Sequence, residues 1–111
     1  MKALLALAVL FTTTLGCGSS APLGAPSNLT VKPSGGGAHL TWMDHATAED
    51  EFQVERKDPG GSFVKKFTVT FDITVYHDSQ VTAGSTYSYR VRAASSSGVS
   101  EYSNEASLTV Q

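Results

Sequence analysis

Val81-Thr82-Ala83-Gly84-Ser85-Thr86-Tyr87-Ser88-Tyr89-Arg90-Val91-Arg92-Ala93 decides how this chain folds. Tyr87, Tyr89, Val91 and Ala93 share one parity, and Ser88, Arg90 and Arg92 share the other. Side chains of a strand alternate between its faces, so this stretch reads as a strand with one buried and one wet face. Its β-branched and aromatic residues suit a pleated, half-buried surface. Ser95 to Gly98 breaks it.

The same pattern repeats outward. Leu29 and Val31 alternate with Asn28, Thr30 and Lys32; Leu40 and Trp42 with His39 and Thr41; Phe52 and Val54 with Glu51, Gln53 and Glu55. Turn chemistry separates these runs at Pro33-Ser34-Gly35-Gly36-Gly37 and at Asp58-Pro59-Gly60-Gly61, and Met43 to Asp50 is a polar loop. Phe63 to Thr70 is a strand of ambiguous register, because Phe63 and Phe67 sit on one parity and Val64 on the other. Ile73 to His77 is a second ambiguous strand, and Ala106, Leu108 and Val110 mark the last. Seven short strands without a long amphipathic helix predict an all-β, immunoglobulin-like sandwich. Leu40, Trp42, Phe52, Val54, Tyr87 and Val91 are the expected cross-sheet core. Truncating Trp42 to Ala in such a core costs on the order of 3–5 kcal/mol.

The amino terminus obeys a different rule. Met1-Lys2 is followed by a nine-residue apolar run, Ala3 to Phe11. A membrane-spanning helix needs about 20 such residues. The run has the length of a signal-peptide core. Cys17 is the one cysteine of the chain, so an internal disulfide is impossible and the fold rests on its core alone. Gly18 to Pro26 is rich in Gly, Ser and Pro and reads as a linker. Nine flexible residues reach roughly 15–18 Å.

The segment ending in Leu15-Gly16-Cys17 resembles the lipobox of bacterial lipoproteins. That resemblance implies cleavage between Gly16 and Cys17 and a diacylglyceryl group on Cys17. Residues 1–16 would then be a signal peptide, and residues 17–25 the lipidated cysteine with its flexible linker. Two acyl chains hold a protein to a bilayer where one is marginal. The expected location is the cell envelope, on the outer membrane in a Gram-negative host; ordinary cleavage nearby would instead give a secreted protein.

Residues 26–111 resemble the fibronectin type III family. Ala25-Pro26-Ser27-Asn28-Leu29 is similar to its first strand, and Leu40-Thr41-Trp42 carries the tryptophan of its second. Asp44 through Phe52 with Val54-Glu55-Arg56 resembles the pattern of bacterial members. Val81 to Ala93 is similar to the family's tyrosine-corner signature, with Val81 for Leu and Ala83 for Pro. The resemblance implies a Tyr87 hydroxyl bonded to nearby backbone. It says little about ligands, because this fold hosts many unrelated partners.

Candidate chemistry is sparse. The net charge of −2 and scattered Lys and Arg give no nucleic-acid footprint. His39, His45 and His77 lack metal-ligand spacing and read as exposed histidines. Asp44, Glu49, Asp50 and Glu51 form an acidic loop, whose oxygens suit a weak Ca²⁺ site although the spacing is not that of an EF-hand. Lys57, Lys65 and Lys66 read as a solvated face. The sequence therefore predicts a monomeric, non-catalytic module without cofactor or metal. It would bind a protein or polysaccharide through loop 43–50 or turn 95–100, or act as a surface spacer. The alternative is a secreted, Ca²⁺-dependent carbohydrate-binding or accessory module of an extracellular enzyme system.

Overall fold

The computed structural model describes residues 23–111. Its strands are β1 (Ser27–Ser34), β2 (Gly37–Met43), β3 (Glu51–Lys57), β4 (Phe63–Thr70), β5 (Val75–Asp78), β6 (Thr86–Ser95), β7 (Gly98–Val99) and β8 (Ala106–Thr109). They form two antiparallel sheets. One has the order β1-β2-β5; the other runs β4-β3-β6-β7, with β8 also paired to β6. The count is eight rather than seven, because the two residues of β7 fold back onto Ala94 and Ser95.

Each element follows from local chemistry. Gly35 and Gly36 both adopt positive φ, as a two-residue hairpin loop between Ser34 and Gly37 requires. Gly37 is small for another reason: a Cβ there would meet the Asp78 carbonyl oxygen at 2.6 Å. The segment before β5 does not extend from Ile73. Asp72 takes φ 63 and Ile73 N donates to Thr70 O, so a turn occupies residues 71–74 and the strand starts at Val75.

The ambiguous register of β4 has a physical cause. Glu55 pairs with Lys65 and Val54 with Phe67, leaving Lys66 as an extra residue in a β-bulge. A bulge offsets the alternation by one. Phe63, opposite Lys57, therefore lies on the outer face, whereas Phe67 and Val69 face inward opposite Val54 and Phe52.

The core lies between the sheets. Leu40, Phe52, Val54, Tyr89, Val91 and Ala93 are fully buried, and Leu29, Trp42, Val69, Tyr87 and Val110 nearly so. Leu23 packs against this cluster. Trp42 meets Phe52 edge-on at 5.6 Å, the geometry aromatic quadrupoles favour. Trp42 Nε1 is buried without a protein acceptor. The sandwich has two ends. Ser27, Met43, Glu51, Thr70, Val75 and Ser95 mark the proximal end, where the chain enters; the β1–β2 and β3–β4 turns mark the distal end.

Candidate functional site

Loop 44–50 and the turn at 71–74 meet at the proximal end. Asp44 Oδ1 accepts a bond from Ala46 N at 2.8 Å, which fixes the loop as an Asx turn. Glu49, largely buried, accepts from Asp72 N at 3.1 Å. Asp44, Glu49 and Asp72 each present a carboxylate oxygen, all within 4.8 Å of one another. Burial pushes the Asp44 carboxyl up, and the neighbouring Glu49 pushes it further. Burial would raise Glu49 as well, but its own backbone, the Asp72 amide and the Asp44 carboxyl outweigh it and hold Glu49 low. A Ca²⁺ ion takes 6–8 oxygens, so three carboxylates supply part of one shell.

Of the four acids in that loop, the fold brings Asp44 and Glu49 together and adds Asp72 from a turn 23 residues further on. Asp50 instead accepts from Ser96 N, and Glu51 from Gln53 Nε2. Asp50, Glu51 and Gln53 with Ala94, Ser95, Ser96, Gly98 and Val99 line an open groove of about 390 Å³. Asp50, the last residue of loop 43–50, and turn 95–100 therefore share one concavity, while the rest of that loop lies outside it.

The outer face of the larger sheet carries a stack of rings and guanidinium groups. Arg90 lies 3.8 Å from the Tyr102 ring centroid and 4.3 Å from that of Phe63. It pairs with Glu55 at 2.7 Å. Tyr102 Oη donates to Glu55 at 2.6 Å, and Arg92 donates to Gln53 while covering Tyr102. Burial alone would raise Glu55; the Tyr102 hydroxyl and the Arg90 guanidinium reverse that and hold it below the ordinary carboxylate range. Burial, then the bond to Glu55, raises the Tyr102 phenol.

On the inner face, Arg56 crosses the gap between the sheets. It donates to Asp78 at 2.9 Å, to the Gln80 carbonyl at 2.9 Å and to Asp58 at 2.7 Å. Asp78, fully buried, also accepts from Tyr89 Oη and Gln80 N. Arg56 sits over the rings of Tyr87 and Phe67. Although burial works against its charge, Asp58 and Asp78 hold Arg56 firmly protonated. This set has every partner satisfied and reads as a cross-link between sheets. The signal for it in the sequence is the position of Arg56, two beyond Val54 on the inward parity.

The remaining candidates disperse. His39 and His77 face each other across β2 and β5 with centroids 6.2 Å apart, while His45 pairs with Ser27. Tyr87 Oη accepts from Thr82 N at 2.9 Å. Ser100 and Ser103 do something the sequence hides: their hydroxyls accept from Ala93 N and Val91 N, completing the edge of β6 where no strand runs. Gly16 and Cys17, the expected cleavage and lipidation site, lie outside the described residues.

Two packed antiparallel sheets with this tyrosine corner define an immunoglobulin-like β-sandwich. The family model of the fibronectin type III domain matches residues 24–109, and the chain belongs to that family. An Fn3-like protein from Clostridium thermocellum is similar at 29% identity and TM-score 0.67, over 80% of this chain and 94% of that one. A β-1,2-glucanase from Parabacteroides distasonis contains a similar fold (20% identity, TM-score 0.71, 82% of this chain and 13% of the enzyme). So does a pectate lyase from Pectobacterium carotovorum (21% identity, TM-score 0.66, 79% of this chain and 27% of the enzyme). No curated protein matches the sequence.

Proposed function

We propose that the chain is a lipid-anchored, non-catalytic fibronectin type III module of the bacterial cell envelope. It would bind a protein or polysaccharide at its proximal groove, or hold other components away from the surface. The observation that carries this reading is the order of parts: an apolar run, Gly16-Cys17 and a short tether lead directly into a family domain at residues 24–109. A short linker keeps such a module close to the bilayer.

Intact-mass spectrometry of the membrane fraction tests the anchor. The native chain should begin at Cys17 and carry the mass of a diacylglyceryl group, and Cys17→Ser should move the protein to the soluble fraction. A native chain with an unmodified thiol would overturn the reading. The Asp44–Glu49–Asp72 carboxylates favour the competing one, a secreted Ca²⁺-dependent carbohydrate module. A calorimetric Ca²⁺ titration that yields neither heat nor a rise in melting temperature removes it.

A further inference from the structure

Among the described residues, six large hydrophobic side chains are exposed: Met43, Val64, Phe71, Ile73, Val75 and Val99. Only Val64 lies at the distal end. Val75 stands opposite Thr41, and Trp42 N bonds Thr74 O, so the antiparallel register carries Ile73 to the position beside Met43. Met43, Ile73 and Val75 thus form one outward strip at the proximal end of the smaller sheet. Phe71, 54% exposed, stands in the turn two residues ahead of Ile73, at the same end of the sandwich. Scattered apolar residues on a surface need no explanation, but a clustered strip marks something that covers it.

The path of the chain says what covers it. Gly24 packs so closely on the His45 backbone that a side chain there has no room. The polypeptide is therefore pinned to this same end as it leaves toward residue 17. The five residues from Gly18 to Pro22, ahead of the packed Leu23, reach roughly 11–13 Å as a coil. We propose that the proximal strip of Met43, Phe71, Ile73 and Val75 rests in the interfacial layer of the bilayer that holds Cys17. This rests on the anchored reading above.

An interfacial contact seats apolar side chains about 5–10 Å into the headgroup–acyl boundary, and a turn tip such as Phe71-Asp72-Ile73 has that scale. Asp44 and the exposed Asp72 share this end at the level of the headgroups, with Glu49 buried behind them. Their charge repels an anionic surface, so the partner surface is a zwitterionic one and the contact weakens as anionic lipid is added.

The test uses the full acylated chain reconstituted in phosphatidylcholine vesicles. With Cys17 blocked by its lipid, Phe71→Cys and Val64→Cys each offer one thiol for a nitroxide label. Collision with oxygen and with a water-soluble nickel chelate reads depth. The label at Phe71 should lose several-fold of its nickel accessibility and gain oxygen accessibility, while the label at Val64 stays in water. Phosphatidylglycerol should reverse the change at Phe71. Two water-exposed labels on a chain whose mass includes the lipid would overturn the docking and leave the anchor standing. Protection at Phe71 that appears only at high protein density would also overturn it, in favour of a second copy on the strip. A chain without the lipid mass removes the anchored reading, and the docking with it.

Discussion

Arg56 Nη1 lies 2.9 Å from Asp78 Oδ2, and that contact joins β3 of the larger sheet to β5 of the smaller one. Asp78 is fully buried and Arg56 nearly so, so neither group keeps water if the other is lost. Breaking a buried pair by removing one partner costs about 3–5 kcal/mol, more than an exposed pair ever contributes. Small domains have total stabilities of roughly 5–15 kcal/mol.

Asp78→Ala should therefore be among the most damaging single changes in this module. Urea unfolding is expected to show a loss of about 3–5 kcal/mol. Replacing both partners together, as Arg56→Met with Asp78→Leu, should recover part of it, because no half-paired charge stays buried, while Tyr89 Oη and Gln80 N still lack the acceptor that Asp78 provided. A double variant as weak as Asp78→Ala alone would show that the bonds Asp78 accepts from Tyr89 Oη and Gln80 N matter more than its pairing with Arg56.

Glu55 sets an acid limit. Its folded carboxyl titrates below the ordinary value of 4.5, through the Tyr102 hydroxyl and Arg90. A depressed folded value means the ionised group stabilises the fold above the unfolded value. That contribution fades as pH falls through the lower, folded one. The melting temperature should drop as pH goes below about 4.5, the region where an unfolded glutamate begins to take up its proton. Glu55→Gln should be weaker at neutral pH and lose less on acidification. Melting curves from pH 7 downward decide it, and parallel curves for the native chain and the Glu55→Gln variant would refute the assignment.

Ser100 and Ser103 stand in for a missing strand. Ser100→Ala leaves Ala93 N without its acceptor, and Ser103→Ala does the same to Val91 N. An orphaned buried donor costs about 1–3 kcal/mol. Each substitution should lower stability by that amount and speed amide exchange at the one named position. Unchanged exchange at Ala93 and Val91 would show that another acceptor moves in.

Deleting Lys66 should be tolerated. The bulge exists because Lys66 is the unpaired residue between Lys65 and Phe67. Its removal leaves Phe63, Lys65, Phe67 and Val69 on the faces they already occupy. A shift of melting temperature within about 4–8 °C, equivalent to roughly 1 kcal/mol for a domain of this size, is expected. Deleting Thr68 instead would turn one flank of β4 inside out and should abolish cooperative unfolding.

Much of this architecture is legible residue by residue. The alternation at 87–93, 40–42 and 52–54 defines the central strands, because a half-buried strand must write its two faces into its sequence. What alternation cannot express is pairing. The β4 bulge depends on which residue stands opposite Glu55, and neither strand alone carries that information. The inward parity of Arg56 is readable in the sequence, but its partner is not: only the fold brings Asp78, 22 positions on, into the same interior. Ser100 and Ser103 are ordinary turn serines by the same measure. Asp72 joins Asp44 and Glu49 only because the turn at 71–74 folds back over loop 44–50.

Asn104 takes hold of β1 with both ends of its amide. Its oxygen accepts from Leu29 N and its nitrogen donates to Leu29 O. The chain enters beside Ser27 at one end, whereas β8 runs toward Thr86 at the other. A pull between the two termini is therefore directed along the strands, and the β1–β2 and β6–β8 ladders resist in shear, many bonds at once, with Asn104 riveting the first strand to the segment ahead of the last. The two terminal strands are therefore loaded along their ladders rather than peeled from them one bond at a time.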